Sequence, residues 1–294
     1  MNVRSKSYGG FRDNTRKSYS LYQSYDVHPS DQWEFILGLR EYWVDKTRFE
    51  DRNFVLLPQI QGIYKVNDAS NYYFNVGKSF QTPSISSAFY YGGNYIINPD
   101  LKPQEGWSYE VGYKHESDKS SFAVDIFHMD VKNKFDWAKD DEGKSYRINK
   151  DKWKNTGLEL NYKQQFNHEW SGNIGFTMQN PQSETGGVTM QDSSKYILNV
   201  GADYHKSKLD LNMRLFSYLG REWGYYNKEH TSSAKKDHKL KNSLDLTMSA
   251  SYKPTAMDTL KVIGRNLLNR KDVLNTYEYA VWPSSVTFMY ERAF

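Results

Sequence analysis

The stretch Leu244-Asp-Leu-Thr-Met-Ser-Ala-Ser-Tyr252 alternates apolar and polar side chains without interruption. Successive side chains of a β-strand point to opposite sides of the chain. Leu244 and Leu246 therefore share one face of an extended segment, while Asp245 and Thr247 share the other. This period of two residues predicts a strand with one apolar and one polar face.

The same alternation recurs along the chain, for example in 170–178, 198–204 and 209–215, and no helical period is sustained between the segments. Many of the segments are about ten residues long, as a tilted membrane-spanning strand requires, whereas strands of globular sheets have about five or six. The thirteen predicted strands are 18–27, 33–44, 53–66, 71–79, 105–116, 120–132, 154–166, 169–179, 194–206, 208–219, 240–253, 258–267 and 285–294.

The connections between these strands alternate between short and long. The short ones are 28–32, 67–70, 117–119, 167–168, 207 and 254–257, and the long ones are 45–52, 80–104, 133–153, 180–193, 220–239 and 268–284. Short turns on one rim and long loops on the other are typical of outer-membrane barrels, whose long loops lie outside the cell. Tyr and Trp also cluster near the predicted strand ends, where they would form interfacial girdles. The sequence thus predicts an all-β, antiparallel transmembrane barrel.

Two further expectations follow for this barrel. Single-chain bacterial barrels have even strand numbers, and an open sheet edge is not tolerated in lipid. We therefore expect thirteen or fourteen strands here as part of a larger barrel, so that either the first twelve residues hold the stub of another strand or the chain lacks its beginning. The apolar side chains should face lipid (Leu244, Leu246, Met248, Leu209, Leu211, Met213, Val286 and Phe288), and the polar ones the lumen (Asp245, Asp210, Asn212 and Arg214).

Composition excludes several classes of protein. The net charge of +4 comes from interspersed cations and anions, which argues against a nucleic-acid surface. The chain has no Cys and therefore no disulfide or thiolate metal site. The first twenty residues lack the apolar core of a signal peptide. We interpret this as a chain that begins inside a longer polypeptide.

Five segments resemble, in the same order, motifs of the TonB-dependent outer-membrane receptors, and the chain ends in Phe294 after alternating apolar residues. The segments are Tyr72-Tyr-Phe-Asn-Val-Gly-Lys-Ser-Phe-Gln-Thr-Pro83, Asn98-Pro-Asp-Leu-Lys-Pro-Gln-Glu105, Ser108-Tyr-Glu-Val-Gly-Tyr-Lys114, Asn155-Thr-Gly-Leu-Glu-Leu160 and Ile263-Gly-Arg-Asn-Leu-Leu-Asn-Arg-Lys271. Glu105 stands one place later than the usual Glu of the family. Arg292 occupies a place where an apolar residue is more usual.

The resemblance implies a barrel of 22 strands behind a plug domain, with a short box that engages TonB. Residues 1–294 would be the C-terminal portion of that barrel, with plug domain and signal peptide absent. The expected partners are outer-membrane lipid, an iron–siderophore or similar small nutrient, TonB through the missing N-terminal part, and the barrel-assembly machinery through the strand that ends in Phe294. The expected location is the outer membrane of a Gram-negative cell. No metal or cofactor site is predicted, and alone the chain could neither form the full pore nor couple transport to energy.

Loops 80–104, 133–153 and 220–239 combine aromatic rings with cations. In receptors of this type such loops form the ligand vestibule, where stacking and cation–π contacts would hold an iron chelate. The alternative is that these are ordinary solvated loops. The candidate ligand-binding residues are Tyr90, Tyr91, Tyr95, Trp137, Arg147, Arg221, Trp223, Tyr225 and Tyr226.

Other functions are weighed beside this one. The pair His230 and His238 could ligate haem. No spacing of His resembles a zinc motif such as H-E-x-x-H, and no catalytic set is apparent, so we do not expect an enzyme. A non-gated porin or adhesin-like barrel is the main alternative, and a soluble all-β binding protein is a third possibility.

Overall fold

The computed structural model describes residues 2–7, 10–44, 54–84, 96, 98, 100–222, 240–270 and 282–293. Every regular element in these ranges is a β-strand. Among them there is no helix of the length and apolarity needed to cross a membrane. The strands are β1 (Asn2–Ser7), β2 (Gly10–Thr15), β3 (Ser18–Ser30), β4 (Trp33–Val44), β5 (Phe54–Asn67), β6 (Ser70–Gln81), β7 (Gln104–Glu116), β8 (Ser120–Lys139), β9 (Ser145–Gln165), β10 (Trp170–Gln179), β11 (Gln182–Thr185), β12 (Val188–Gln191), β13 (Ser194–Lys206), β14 (Leu209–Arg221), β15 (Ser243–Tyr252), β16 (Asp258–Arg265) and β17 (Ser285–Arg292).

Thirteen of these strands form one continuous antiparallel path from β3 to β17, in which sequence neighbours pair side by side and β13 follows β10. The short hairpin β11–β12 attaches to β9 beside this path and brings the sheet to 15 strands. Strands β1 and β2 form a separate two-stranded sheet. All thirteen predicted strands are confirmed. In the described part of the chain the path is open, since β3 and β17 each pair on one side only.

The cross-strand register divides the sheet into an apolar face and a polar face. Leu211 lies opposite Ala250, and Arg214 lies opposite Thr247, so the odd-numbered apolar side chains of β14 and the even-numbered polar ones point to opposite sides. The predicted separation of these sets is confirmed. On β7 and β8 the apolar face includes Val111, paired with Ile126 and 54% exposed. Contiguous exposed apolar patches larger than a few hundred Å² are rare on soluble monomers.

The short and long connections fall on opposite rims, as predicted. Antiparallel hairpins with turns of two to five residues close one rim, at 31–32, 68–69, 117–119, 166–169, 207–208 and 253–257. The other rim carries the longer connections, including 45–53, 82–103, 222–242 and 266–284. We call these the short-turn rim and the long-loop rim.

Two predicted loops contain strands instead. Residues 133–153 were expected to be irregular, but β8 continues to Lys139 and β9 begins at Ser145, so only 140–144 connect them. Twenty residues of strand span about 66 Å at about 3.3 Å per residue, well beyond the hydrocarbon core of about 30 Å. The paired ends at 133–150 therefore project from the long-loop rim, and we call them the tower. The predicted loop 180–193 likewise contains the hairpin β11–β12.

Candidate functional site

The base of the tower is the most tightly packed region of the described chain. Elsewhere in the described residues the sheet is a single layer with two open faces, whereas here the segment 100–103 and hairpin β11–β12 cover β8 and β9. The buried side chains of this region are Leu101, Pro103, Ala138, Ile148, Lys150, Pro181, Ser183 and Met190. These two segments bury the base of the tower, which is part of the sheet (β8 and β9).

Lys150 is the centre of this packing. Its side chain is 1% exposed, and its ammonium nitrogen lies 2.8 Å from an oxygen of Asp136 and 2.9 Å from an oxygen of Asp192. A third bond, of 3.0 Å, runs from the ammonium group to the hydroxyl of Ser183 on β11. Lys134 donates to the other oxygen of Asp192 at 2.8 Å. All three protons of the buried ammonium group thus have acceptors, which offsets the cost of removing it from water.

These charges set each other's protonation. Burial alone would lower the pKa of Lys150, but the carboxylates of Asp192 and Asp136 outweigh it and the pKa is raised. Burial alone would raise the pKa of Asp192, but Lys150 and Lys134 outweigh it and that pKa is lowered. Both groups are therefore held in their charged forms. The ion pair joins the connection after β12 to β9.

We call Lys150 and its partners Asp136, Asp192 and Ser183 the clamp. The pH range in which the clamp is stable follows from the pKa shifts of Asp192 and Lys150. A lowered folded-state pKa means that Asp192 stabilises the clamp above its unfolded value of 3.8 and loses this effect as the pH falls through the folded value. A raised folded-state pKa means that Lys150 stabilises it below 10.5 and loses this effect as the pH rises through the folded value. We expect one distance between spin labels at Thr189 and Lys139 from about pH 5 to about pH 9. The distance should lengthen in acid, and a lengthening within that range would contradict the assignment.

Asn98 and residues 100–103, which belong to one of the family-like motifs, cross the tower, and we call them the strap. The side-chain amide of Asn149 accepts from the Lys102 backbone N–H at 2.7 Å and donates to the Lys102 carbonyl at 2.9 Å. It also donates to the carbonyl of Asn133. Asn98 donates to the Arg147 carbonyl at 2.8 Å. With Leu101 buried beneath it, the strap fixes the edge of β9 that carries Arg147.

Two predicted ligand residues meet on the tower. Trp137 and Arg147 are direct cross-strand partners, and the guanidinium carbon of Arg147 lies 4.1 Å from the centroid of the Trp137 ring. The Trp137 side chain is 44% exposed, so one part of the ring is covered by the cation and another part is open. Burial lowers the pKa of Arg147 and the carboxylate of Asp136 opposes this. A guanidinium stacked on indole presents a planar cation beside an aromatic edge.

The other candidate ligand residues are placed differently. Arg221 is 4% exposed and donates to the carbonyl of Lys241 at 2.9 Å, so it joins the end of β14 to the approach of β15. In this structure its burial leaves almost no surface for a ligand. The remaining candidates lie outside the described residues, namely Tyr90, Tyr91, Tyr95, Trp223, Tyr225 and Tyr226, together with His230 and His238.

The polar face carries a group of carboxylates midway along β7, β8 and β9. Asp125 lies directly opposite Glu159, and the side chain of Tyr73 lies close to the carboxylates of both Asp125 and Glu110. Gly112 makes room for this tyrosine, because a Cβ there would lie 2.4 Å from the ring. This group gives the polar face a negative patch.

A second cluster of polar groups lies near the short-turn rim. Ligand atoms of Asp26, His28 and Glu34 lie within 4.8 Å of one another. The Lys65 ammonium nitrogen is 3.4 Å from Glu34, and the side chains of Asp26 and His28 are more than half exposed. This cluster is far from the tower, and we assign it no ligand.

Sequence reasoning missed the clamp around Lys150. Alternation continues past the predicted end of β8, with Phe135 and Trp137 following Val131 at even spacing. That pattern could have shown that the strand continues. Nothing in the sequence pairs Lys150 with Asp192, because the two are brought together only by the attachment of β11 to β9.

Comparisons with known proteins agree on the fold. A family model described as "TonB dependent receptor-like, beta-barrel" matches residues 3–269. Among solved structures, the siderophore receptor PirA of Acinetobacter baumannii is similar over 99% of this chain and 47% of its own, with a TM-score of 0.75 and 16% identity.

Two further solved structures are similar. The ferric enterobactin receptor PfeA of Pseudomonas aeruginosa, in complex with enterobactin, matches 95% of this chain and 45% of its own, with a TM-score of 0.71 and 15% identity. The copper transporter OprC matches 99% and 51%, with a TM-score of 0.72 and 12% identity. At such identities the likeness shows the fold and leaves the ligand open. The chain spans about half the length of these proteins.

Proposed function

This chain belongs to the TonB-dependent receptor-like β-barrel family, and we propose that it supplies thirteen adjacent strands of an outer-membrane barrel that imports an iron chelate or a similarly scarce nutrient. The family consists of receptors rather than enzymes. In this proposal the apolar face lies against lipid, the polar face lines the lumen, and the long-loop rim is outside the cell. A segment matching only half of a receptor would act as part of the whole, not alone.

The observation that carries the ligand assignment is the Trp137–Arg147 pair on a braced tower. An iron chelate of the catecholate type offers aromatic rings and negative charge, which suit an indole edge beside a guanidinium. The clamp at Lys150 and the strap at Asn149 hold both strands in place before a ligand arrives. A preorganised anchor loses little conformational entropy on binding.

The proposed partners follow from this receptor function. TonB would act through parts of the receptor other than these strands. The barrel-assembly machinery would engage the C-terminal strand β17, whose Phe288 and Tyr290 lie on the apolar face beside β16. The proposed location is the outer membrane of a Gram-negative cell, where members of this family are found.

The main alternative is a non-gated porin or adhesin-like barrel. Both share an apolar outer face, but only the receptor requires a plug and energy from TonB. Uptake of a radiolabelled chelate that persists in cells lacking TonB would favour the alternative. Loss of uptake together with retained surface binding would support the receptor.

The tower assignment has a direct test in the complete receptor. We expect Trp137→Ala to weaken ligand binding to whole cells by about tenfold, equivalent to about 1.4 kcal/mol, because a central aromatic anchor typically contributes at least this much. Trp33→Ala is the matched control, since Trp33 is 38% exposed on the opposite rim and should leave affinity unchanged. Unchanged affinity of Trp137→Ala at normal surface abundance would refute the assignment.

A further inference from the structure

The apolar face of the last strands is not smooth. A hollow of about 510 Å³ opens across β13 to β17, within the size range of small-molecule sites. Its floor is formed where small side chains, Ala202 and Ala250, and Gly264 lie among larger ones. Leu267 folds back over Gly264, so that a Cβ there would lie 2.6 Å from a Leu267 methyl carbon. The hollow is therefore bounded at one end by this leucine.

The register places the apolar side chains that line the hollow on the apolar face. Leu211 is opposite both Tyr204 and Ala250, and Met248 is opposite both Met213 and Gly264. From β13 to β17 the hollow crosses four strand spacings, about 19 Å at about 4.8 Å each. One leaflet of hydrocarbon is about half of 30 Å thick. An acyl chain that crosses the leaflet at an angle to the membrane normal therefore extends over a distance close to the length of the hollow.

The end of the hollow near the short-turn rim is built differently. The rings of Trp170 and Tyr204 stand 4.7 Å apart, centroid to centroid, as interfacial aromatic residues do. Two exposed cations lie just beyond them. The Lys206 ammonium group is 2.9 Å from Glu169, and the Lys208 ammonium group donates to the Pro254 carbonyl at 2.7 Å. Each of these lysines can still donate further hydrogen bonds to a phosphate.

We propose that this hollow binds one acyl chain of an anionic phospholipid from the periplasmic leaflet, with the lipid phosphate at Lys206 and Lys208. The inference rests on the proposed membrane placement of the apolar face. An apolar hollow that opens to hydrocarbon takes a hydrocarbon chain, and the adjacent cations select a negative headgroup. The hollow meets its cations at the short-turn rim, which is the periplasmic side, so the occupant is a phospholipid rather than an outer-leaflet glycolipid.

The test uses the complete receptor reconstituted in phosphatidylcholine vesicles with a minor fraction of phosphatidylglycerol. After extraction into mild detergent, native mass spectrometry counts the phospholipids that remain bound. We expect one phosphatidylglycerol per wild-type receptor. Ala250→Phe fills the hollow and should lower this retention at least tenfold. Leu211→Trp enlarges another wall and provides a second filled variant if the first fails to fold.

Two further variants separate the acyl chain from the headgroup. Val111→Phe enlarges an exposed apolar side chain outside the hollow and should retain the lipid as wild type does. The double variant Lys206→Gln with Lys208→Gln should keep a bound lipid but lose the preference for phosphatidylglycerol over phosphatidylcholine.

The outcomes distinguish this inference from the proposed function. Equal retention by wild type and both filled variants would overturn the inference while leaving the receptor assignment intact, as would retention of phosphatidylcholine alone. Recovery of lipopolysaccharide in place of phospholipid from native membranes would also overturn it. Failure of every variant, wild type included, to enter vesicles would contradict the membrane placement and with it both proposals.

Discussion

Replacing Lys150 with Met is expected to weaken the attachment of hairpin β11–β12 to the tower by about 3 kcal/mol, the low end of the range for breaking a buried ion pair. The reason is that the carboxylates of Asp136 and Asp192 would repel each other without the ammonium group of Lys150. That group now lies 2.8 Å from Asp136 and 2.9 Å from Asp192. Lys134 still neutralises one oxygen of Asp192, which keeps the expected loss at that low end. Hydrogen exchange of the β12 amides should accelerate by about two orders of magnitude.

Two variants make this expectation specific. Lys139→Met removes a cation from the exposed end of β8 and should leave exchange within about 0.5 kcal/mol of wild type. Adding Asp136→Asn to Lys150→Met removes one of the two carboxylates that have lost their cation. The double variant should therefore regain part of the protection of the β12 amides against hydrogen exchange. Equal exchange in wild type and Lys150→Met would show that packing around Met190 and Ser183 holds the hairpin without the ion pair.

Ile60→Arg is expected to destabilise the folded barrel by about 2 to 4 kcal/mol in lipid. Ile60 lies on the apolar face near the middle of β5, between Leu37 and Val76, where a charge would enter the hydrocarbon. The neighbouring Gln61→Arg is the matched control, because its side chain lies on the polar face and meets water. The measurement is urea unfolding of the complete receptor in lipid bilayers.

The comparison of these two variants tests the face assignment itself. If Gln61→Arg lowers the free energy of unfolding more than Ile60→Arg does, the polar face does not line the lumen. Equal and small losses would indicate that neither face lies in hydrocarbon and would favour a soluble protein.

The strand pattern was predictable because it depends on local alternation. In β15 or β5 each residue's face is fixed by its parity, and a one-residue error would move every apolar side chain to the wrong side. The rims were predictable for a related reason, since two-to-five-residue connections can only join neighbouring antiparallel strands. The tower was missed because a membrane strand needs only about ten residues, and the predicted strand 120–132 was already long enough to span the membrane.

The candidate site was only partly predictable. Trp137 and Arg147 stand out in the sequence as an aromatic residue and a cation, but their pairing depends on the register of β8 with β9. Arg221 stands out equally, and the fold buries it against the Lys241 carbonyl. Whether a cation meets a ligand or a carbonyl depends on tertiary contacts that no local pattern records.

The thirteen-strand path has a consequence for how the barrel can close. Because the count is odd, β3 and β17 run in the same direction, both from the long-loop rim toward the short-turn rim. Two copies of this sheet standing upright side by side would therefore meet strand to strand in parallel, unlike every pairing within the path. A fully antiparallel closure therefore needs an odd number of strands beyond the path from β3 to β17, and upright copies of this path alone cannot supply that closure.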